Sequence, residues 1–314
     1  MRYLEDIREN EHVVEHYLCK SKQTLKTRSG KTYLSLRLCD KTGHMDGKVW
    51  EMNNDIQSFE EGDMVKIDAQ VVTFQNELQL KIMKLRKSRE EEYIPMNYVP
   101  CTDKDIDALY GEVCDFIKSV QHPKLRALLD AILVNDAARV QAFKTHSAAK
   151  QMHHSYMGGL LEHTLSVAQI CDFMATRHKH VNRDLLITTA LLHDIGKVYE
   201  LSAMPMNDYT DDGQMLGHIT ISVEMVGDAV RNIPDFPHEL ASLVKHSLLA
   251  HHGEYEFGSP KLPATIEAFL LHCADNMDAK LKSFEEILDK DATAGPWTGY
   301  QKVLNRYLRR SDFS

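Results

Sequence analysis

The sequence predicts a multidomain chain, a small all-β barrel followed by an all-α domain. Three observations carry that reading. Apolar residues alternate with polar ones between about residues 12 and 86. From Ile106 onward their spacing becomes helical, and between the two lies KSREEEYIPMNYVPCTDKD, a charged stretch with two prolines. The boundaries are a barrel over 1–88, a linker over 89–105 and a helical domain over 106–314, with its chemistry-bearing core in about 145–290.

The strands come in order. VVEHYLCKSKQTLKT runs into the turn at Ser29-Gly30, and TYLSLRLCD alternates through Leu34, Leu36 and Leu38. A turn at Asp40–Gly43 leads to GHMDGKVW. The segment NNDIQSFEEGD reads as a short helix-like link. MVKIDAQVVTF and ELQLKIMKLRK follow, joined by a turn at Gln75-Asn76. Five short strands with one linking helix suit a Greek-key barrel of the OB type.

The helical domain opens with Leu109, Val113, Phe116, Ile117 and Val120, then Leu125, Leu128, Leu129 and Ile132, interrupted at His122-Pro123. Helices are also expected after Gly158-Gly159 and in NRDLLITTALLHDIGKV, ISVEMVGDAVRNI, HELASLVKHSLLAHH and PATIEAFLLHCADNMDAKLKSFEEIL. GPWTGYQKVLNRYLRRSDFS reads as a loop and a short, basic, frayed tail.

Composition narrows the class. At 314 residues, 43% hydrophobic and 26% charged, the chain is an ordinary globular protein with room for two cores. MRYLEDIREN has no apolar core of a signal peptide, and no apolar run approaches a membrane span. Six scattered cysteines without a CxxC pair indicate reduced thiols, so a cytoplasmic location is expected. The net charge is -9, but residues 1–89 carry 16 Lys and Arg against 14 Asp and Glu. An acidic second domain suits cation binding, and a slightly basic first domain suits a polyanion.

Five segments of metal-ligand type stand in one order: His163 in GGLLEHTLSV, His193-Asp194 in LLHDIGK, His218 in GHITIS, His251-His252 in LLAHHGE and Asp275 in LLHCADNMDAK. Imidazoles and carboxylates gathered from separate helices hold one or two hydrolytic divalent ions, and no nucleophilic serine or cysteine motif competes. The two oxygens of Asp194 can bridge two ions. Gly196 is a close-approach residue, and Lys197 is the cation for a phosphate. One of His251 and His252 binds metal; the other faces substrate or supports a ligand. Asp275 lies in an apolar helix, where a carboxylate needs a cation. Asp278 reads as a surface acid or one that holds a ligand from behind. His153 and His154 read as substrate contacts or ligand supports. Imidazole-rich sites favour Mn²⁺, Fe²⁺, Co²⁺, Ni²⁺ or Zn²⁺ over Mg²⁺.

This ordered pattern resembles the HD superfamily of metal-dependent phosphohydrolases over roughly residues 145–290. AAKQMHHSYMGGLLEHT, LLHDIGKVYELS, LGHITIS, AHHGEYEFGSPKLP and ADNMDAKL, behind an OB-like domain, look like the YhaM-type 3'-to-5' exoribonucleases of Gram-positive bacteria. The resemblance implies an all-helical catalytic domain, two ions with Mn²⁺ foremost, and single-stranded RNA, or also single-stranded DNA, hydrolysed to 5' mononucleotides. It implies a first metal site of His163, His193, Asp194 and Asp275 and a second completed by His218 and His251 or His252. SGKTYLSLRLCDKTGHMDGKVW resembles the strand-turn-strand part of nucleic-acid-binding OB domains. Tyr33, Trp50 and Phe74 are its candidate stacking platforms, and Lys31, Arg37 and Lys48 its candidate phosphate contacts. For Trp50, burial in the small barrel is the stronger competing expectation. Two other readings stand beside this one. The first is an HD-type cyclic-dinucleotide or nucleotide phosphohydrolase, although the Gly-Tyr-Pro element of the cyclic-dinucleotide enzymes is replaced here by GEYEFGSPKLP. The second is a nucleic-acid-binding adaptor with a structural metal.

Overall fold

The computed structural model describes residues 1–27, 29–75, 77–150 and 154–311. The chain divides into two compact units, Met1–Cys101 and Thr102–Ser314.

The first unit is a closed five-stranded barrel. Its strands are β1 (His12–Lys26), β2 (Thr32–Asp40), β3 (Gly43–Val49), β4 (Met64–Phe74) and β5 (Glu77–Lys87), ordered β1-β2-β3-β5-β4. All neighbours are antiparallel except β3 and β5. Closure removes the free edges that an open sheet of this size would expose. Alternation sends Leu34, Leu36 and Leu38 of β2 and Val65, Ile67, Ala69 and Val71 of β4 inward. At Gly47 a Cβ would lie 2.8 Å from Ile82 Cδ1, so the strand packs there without a side chain.

The link between β3 and β4 is not helical. Asn53, Asn54, Asp55 and Gly62 are weak helix formers, and the extended β5 offers its backbone instead. The Gln57 N–H donates to the Leu85 carbonyl at 2.8 Å and the Leu85 N–H to the Asp55 carbonyl at 2.9 Å. Phe59 drops into the barrel core. Residues 88–101 also hold to the barrel rather than spanning freely. Tyr98 and Val99 are buried, and the Asn97 carbonyl accepts from the Lys41 N–H.

The second unit is helical: α1 (Ile106–Ser119), α2 (Pro123–Leu133), α3 (Ala137–Thr145), α4 (Gly159–Arg177), α5 (Arg183–Leu192), α6 (Lys197–Glu200), α7 (Asp211–Asn232), α8 (His238–Ala250) and α9 (Ile266–Lys290). Side chains of Asp105, Asp136, Asn182, Thr210 and Thr265 cap α1, α3, α5, α7 and α9, and Pro123 occupies the first turn of α2. Helix α5 is buried over Leu185–Leu192 and runs through the core among Leu128, Leu160, Leu161, Val244 and Leu271. Helix α7 kinks at Gly217, whose φ of 72° suits glycine, and a fresh helical segment starts at His218.

The tail is not frayed over its described residues. Trp297 pairs with Arg309 and Gln301 with Arg306, Leu308 is buried, and Arg310 bonds to Asp291. Polar, glycine-bearing sequence conceals this hairpin because only Thr298 and Leu308 point inward.

Leu80 is fully buried in the barrel core. Leu80→Ala is expected to destabilise the barrel by about 2–5 kcal/mol, seen as a lower urea midpoint at unchanged slope.

Candidate metal centre

Five helical elements deliver the polar cluster. His163 comes from α4, His193 and Asp194 from the end of α5, His218 from the restart of α7, His251 and His252 from the end of α8, and Asp275 from α9. Helix ends leave carbonyls without intrahelical donors, and two of the ligand-type residues use them identically. His193 Nδ1 lies 2.8 Å from the Ala190 carbonyl, and His251 Nδ1 lies 2.7 Å from the Leu248 carbonyl. Each carbonyl assigns the proton to Nδ1 and leaves Nε2 as a lone-pair donor.

The other imidazoles are oriented in the same way. His163 Nδ1 is 2.7 Å from Asp278, His218 Nδ1 is 2.9 Å from Glu200, and His252 Nδ1 is 2.8 Å from the Phe257 carbonyl. Such outer partners fix ring orientation and raise ligand basicity. Asp278 is therefore a buried support rather than a surface acid. It also accepts from Ser166 and lies 3.1 Å from His154 Nε2. His154 is buried, with Nδ1 3.0 Å from the Tyr156 hydroxyl. His153 lies outside the described residues.

The Nε2 atoms converge on Asp194. On the Oδ2 side, His163 and His193 stand 3.5 and 3.4 Å from the oxygen and 3.2 Å from each other, and Asp275 Oδ1 lies 3.2 Å from His163. On the Oδ1 side, His218 and His251 stand 3.4 and 3.7 Å away. Ligand atoms of His218, His251 and His252 all lie within 4.8 Å of one another. The Nε2 atoms of His218 and His251 are buried without a hydrogen-bond partner, an arrangement that costs about 1–3 kcal/mol per orphaned group. Orphaned nitrogens facing a carboxylate fit a divalent cation on both sides of Asp194.

Charge in the cluster is balanced by opposition. Burial pushes Asp194 up, but Lys197, at 2.6 Å, and His193 hold its carboxyl well below the usual range. Burial pushes Lys197 down, and Asp194 reverses this, so the ammonium stays charged. Burial, reinforced by His252 and His193, pushes His251 well down and keeps it neutral, as a ligand requires. Burial opposes charge on His163 too, yet Asp194, Asp275 and Asp278 raise it well above the ordinary imidazole range. Two carboxylates, Asp194 and Asp275, thus favour positive charge beside His163 Nε2, while Asp278 holds Nδ1.

Several supports have no strong sequence signal. Glu200 accepts from the His218 N–H at 2.9 Å and orients its ring. Its signal is an acid within the otherwise apolar VYEL. Ser222 accepts from the Gly196 N–H at 2.8 Å, and a Cβ on Gly196 would lie 2.3 Å from the His218 carbonyl. Glu162 is buried and held down to about 2: burial opposes this, and Lys104, Thr102 and Tyr156 overcome it. A cavity of about 250 Å³ opens on Lys197, His252, Phe257 and Asp275, and another of about 540 Å³ on Lys150, Lys197, Tyr209, His218 and His252.

On the barrel, the Tyr33 and Trp50 rings stack with centroids 4.7 Å apart. Trp50 is 39% exposed, against the expectation of burial. Val49 fills the core, so alternation turns its neighbour outward. Arg37 is exposed on β2, on the same face as Tyr33, and Lys48 is fixed by Ser35 Oγ at 2.6 Å. Lys31 lies 3.7 Å from Glu51. Phe74 is exposed at the β4–β5 hairpin, apart from the β2–β3 face.

Comparison with known proteins agrees with both units. A model of the HD domain matches residues 160–280, and one of an OB-fold nucleic acid binding domain matches residues 19–87. The 3'-5' exoribonuclease YhaM of Geobacillus sp. (strain WCH70) is 31% identical over 282 residues, covering 89% of this chain and 86% of the relative. The chain belongs to the YhaM family. The YhaM protein of Oceanobacillus iheyensis is 32% identical over 271 residues, covering 84% of this chain and 83% of its own length. That of Bacillus subtilis (strain 168) is 29% identical over 282 residues, covering 89% and 88%. The matched OB-fold segment coincides with the barrel and the matched HD segment with the helical unit.

A divalent ion held by His163 would need the ring's Nε2 free of its proton, and carboxylates beside the ring favour that proton. Mn²⁺ binding is therefore expected to release protons and to weaken as pH falls. Titration calorimetry in buffers of different ionisation enthalpy checks this. Identical apparent enthalpies in every buffer would contradict it.

Proposed function

We propose that this YhaM-family chain is a 3'-to-5' exoribonuclease that hydrolyses single-stranded RNA to 5' mononucleotides at two divalent ions, Mn²⁺ foremost. The observation that carries this is the Asp194 carboxylate, with one oxygen toward His163 and His193 and the other toward His218 and His251. Asp275 completes the first set, and His252 stands beside the second. Divalent ions bound there would supply Lewis-acid charge and make water nucleophilic near neutral pH.

The chain's own groups do the rest. Lys197 keeps its positive charge under burial and lines both cavities. It is placed to contact a phosphoryl oxygen while remaining paired with Asp194. Asp278 and Glu200 hold the rings of His163 and His218 so that little rearrangement accompanies turnover. On the barrel, the Tyr33–Trp50 stack offers a platform for bases, and Arg37, Lys48 and Lys31 offer charge for phosphates. Such contacts favour unpaired strands, whose bases are free to stack. We place the protein in the cytoplasm. Among the described residues no cysteine forms a disulfide, and no helix is long and apolar enough to cross a membrane.

The decisive test is a time course on 5'-labelled single-stranded RNA with Mn²⁺ or chelator. A metal-dependent ladder shortening from the 3' end is expected. Binding without shortening under several divalent ions would overturn the reading in favour of an adaptor or a small cyclic-nucleotide substrate.

Asp194→Asn is expected to lower turnover by more than about a hundredfold, beyond what loss of an outer partner does. RNA affinity should change by no more than about twofold, as for independent sites. Trp50→Ala is expected to weaken single-strand binding by about 1–3 kcal/mol, measured by fluorescence anisotropy. Unchanged affinity would remove the β2–β3 face from the interface.

A further inference from the structure

The hairpin after α9 lies beyond both matched segments, which end at residues 87 and 280. It is a built element. The Thr298 N–H donates to the Leu308 carbonyl at 2.9 Å, and the Leu308 N–H donates to Thr298 Oγ1 at 3.0 Å. The Arg310 guanidinium donates to the Asp291 carbonyl at 2.7 Å and to its carboxylate at 3.0 Å, tying the hairpin base to the end of α9.

With Thr298 and Leu308 inward, their neighbours face solvent. Trp297, Tyr300 and Tyr307 are 52%, 48% and 59% exposed. The Tyr300 and Tyr307 rings meet edge to face with centroids 5.2 Å apart. Lys302, Arg306 and Arg309 are exposed in the same short element. Residues 295–311 contain no Asp or Glu, in a chain whose net charge is -9. Three exposed rings interleaved with three exposed cations suit a ligand with flat apolar faces and repeated negative charge.

We infer that this hairpin is a second binding surface for single-stranded RNA, holding the substrate strand upstream of the bond that is cut. The inference rests on the exoribonuclease reading for the identity of the strand. Charge complementarity selects the occupant, since an acid-free patch on an otherwise acidic unit attracts a polyanion. Its distance from the chemistry follows from α9. Asp275 and the helix end at Lys290 are separated by about 22 Å of helix, so the hairpin contacts nucleotides well removed from the scissile phosphate. The hairpin therefore serves long strands and not the shortest ones.

The test compares a diribonucleotide with a 20-nucleotide RNA on the full-length chain. In Trp297→Ala/Tyr307→Ala, kcat/KM on the 20-mer is expected to fall by about tenfold or more, with the diribonucleotide rate unchanged. In Lys302→Gln/Arg306→Gln, the slope of log affinity against log salt for the 20-mer is expected to become shallower by about 1.4, at about 0.7 per lost phosphate contact. Affinities for both variants are also measured in an Asp194→Asn background, so that binding is read without turnover. If the parent chain binds the 20-mer but cuts neither substrate, the exonuclease reading fails while this background still reports on the hairpin. Unchanged 20-mer affinity and salt slope in both variants would overturn the inference. So would a change in sedimentation with RNA binding intact, which would make the hairpin an interface between copies of the chain.

Discussion

The helical unit is organised around one buried anion. Asp194 is only 2% exposed, and an isolated carboxylate in such a place carries a desolvation penalty of several kcal/mol. Lys197 offsets part of it at 2.6 Å. The remaining field is taken up by imidazoles on both oxygens. This requirement sets the local backbone. Asp194 and Lys197 must face each other across a tight turn, and Gly196 lets that turn approach α7 so closely that Ser222 receives its N–H. The close approach brings His218 to the second oxygen. Packing and chemistry are therefore one constraint here: the backbone contact that seats α7 also completes the second half of the site.

Helix ends explain why the same cluster attracts cations. α5 and α8 terminate at the site, each with a histidine whose Nδ1 faces a carbonyl of the last turn. A helix C-terminus carries a partial negative charge, so two of them, with Asp194, Asp275 and Asp278, set a strongly negative potential around neutral nitrogens. The segment of α7 that restarts at His218 would oppose this with its positive end, but Glu200 accepts its first N–H and neutralises it. Burial opposes charge on His163, and Asp194, Asp275 and Asp278 outweigh it and raise the ring well above the ordinary imidazole range. A metal ion serves the same electrostatic demand while leaving both nitrogens of the ring engaged.

How much was legible followed from the range of each interaction. The convergence of His163, His193-Asp194, His218, His251-His252 and Asp275 could be read because ligand-type polar residues set in apolar helical segments have few other uses. The barrel strands could be read because alternation is local. Trp50 was misplaced because aromatic character suggests burial, whereas its position after Val49 turns it outward. The β3–β4 link was misplaced because Ile56 and Phe59, three apart, mimic a helical stripe, and the competing partner, the Leu85 backbone, is distant in sequence. Glu200, Ser222 and Glu162 act through contacts with segments distant in the chain, and no spacing rule announces them.

Charge separates the tasks of binding and cleavage. The acids closest to the chemistry, buried Asp194 and Asp278 and half-buried Asp275, are matched to imidazoles and Lys197, so they do not project a field that repels RNA. The excess negative charge of the second unit lies elsewhere on its surface, and that surface gives a polyanion no general affinity. Attraction must therefore be local, from elements that combine cations with exposed rings. The β2–β3 face and the hairpin after α9 both have this composition, and neither contributes a ligand to the metal centre. Binding through either patch would therefore leave the residues of the metal centre untouched. Affinity for the strand and strength of the metal site can then vary independently.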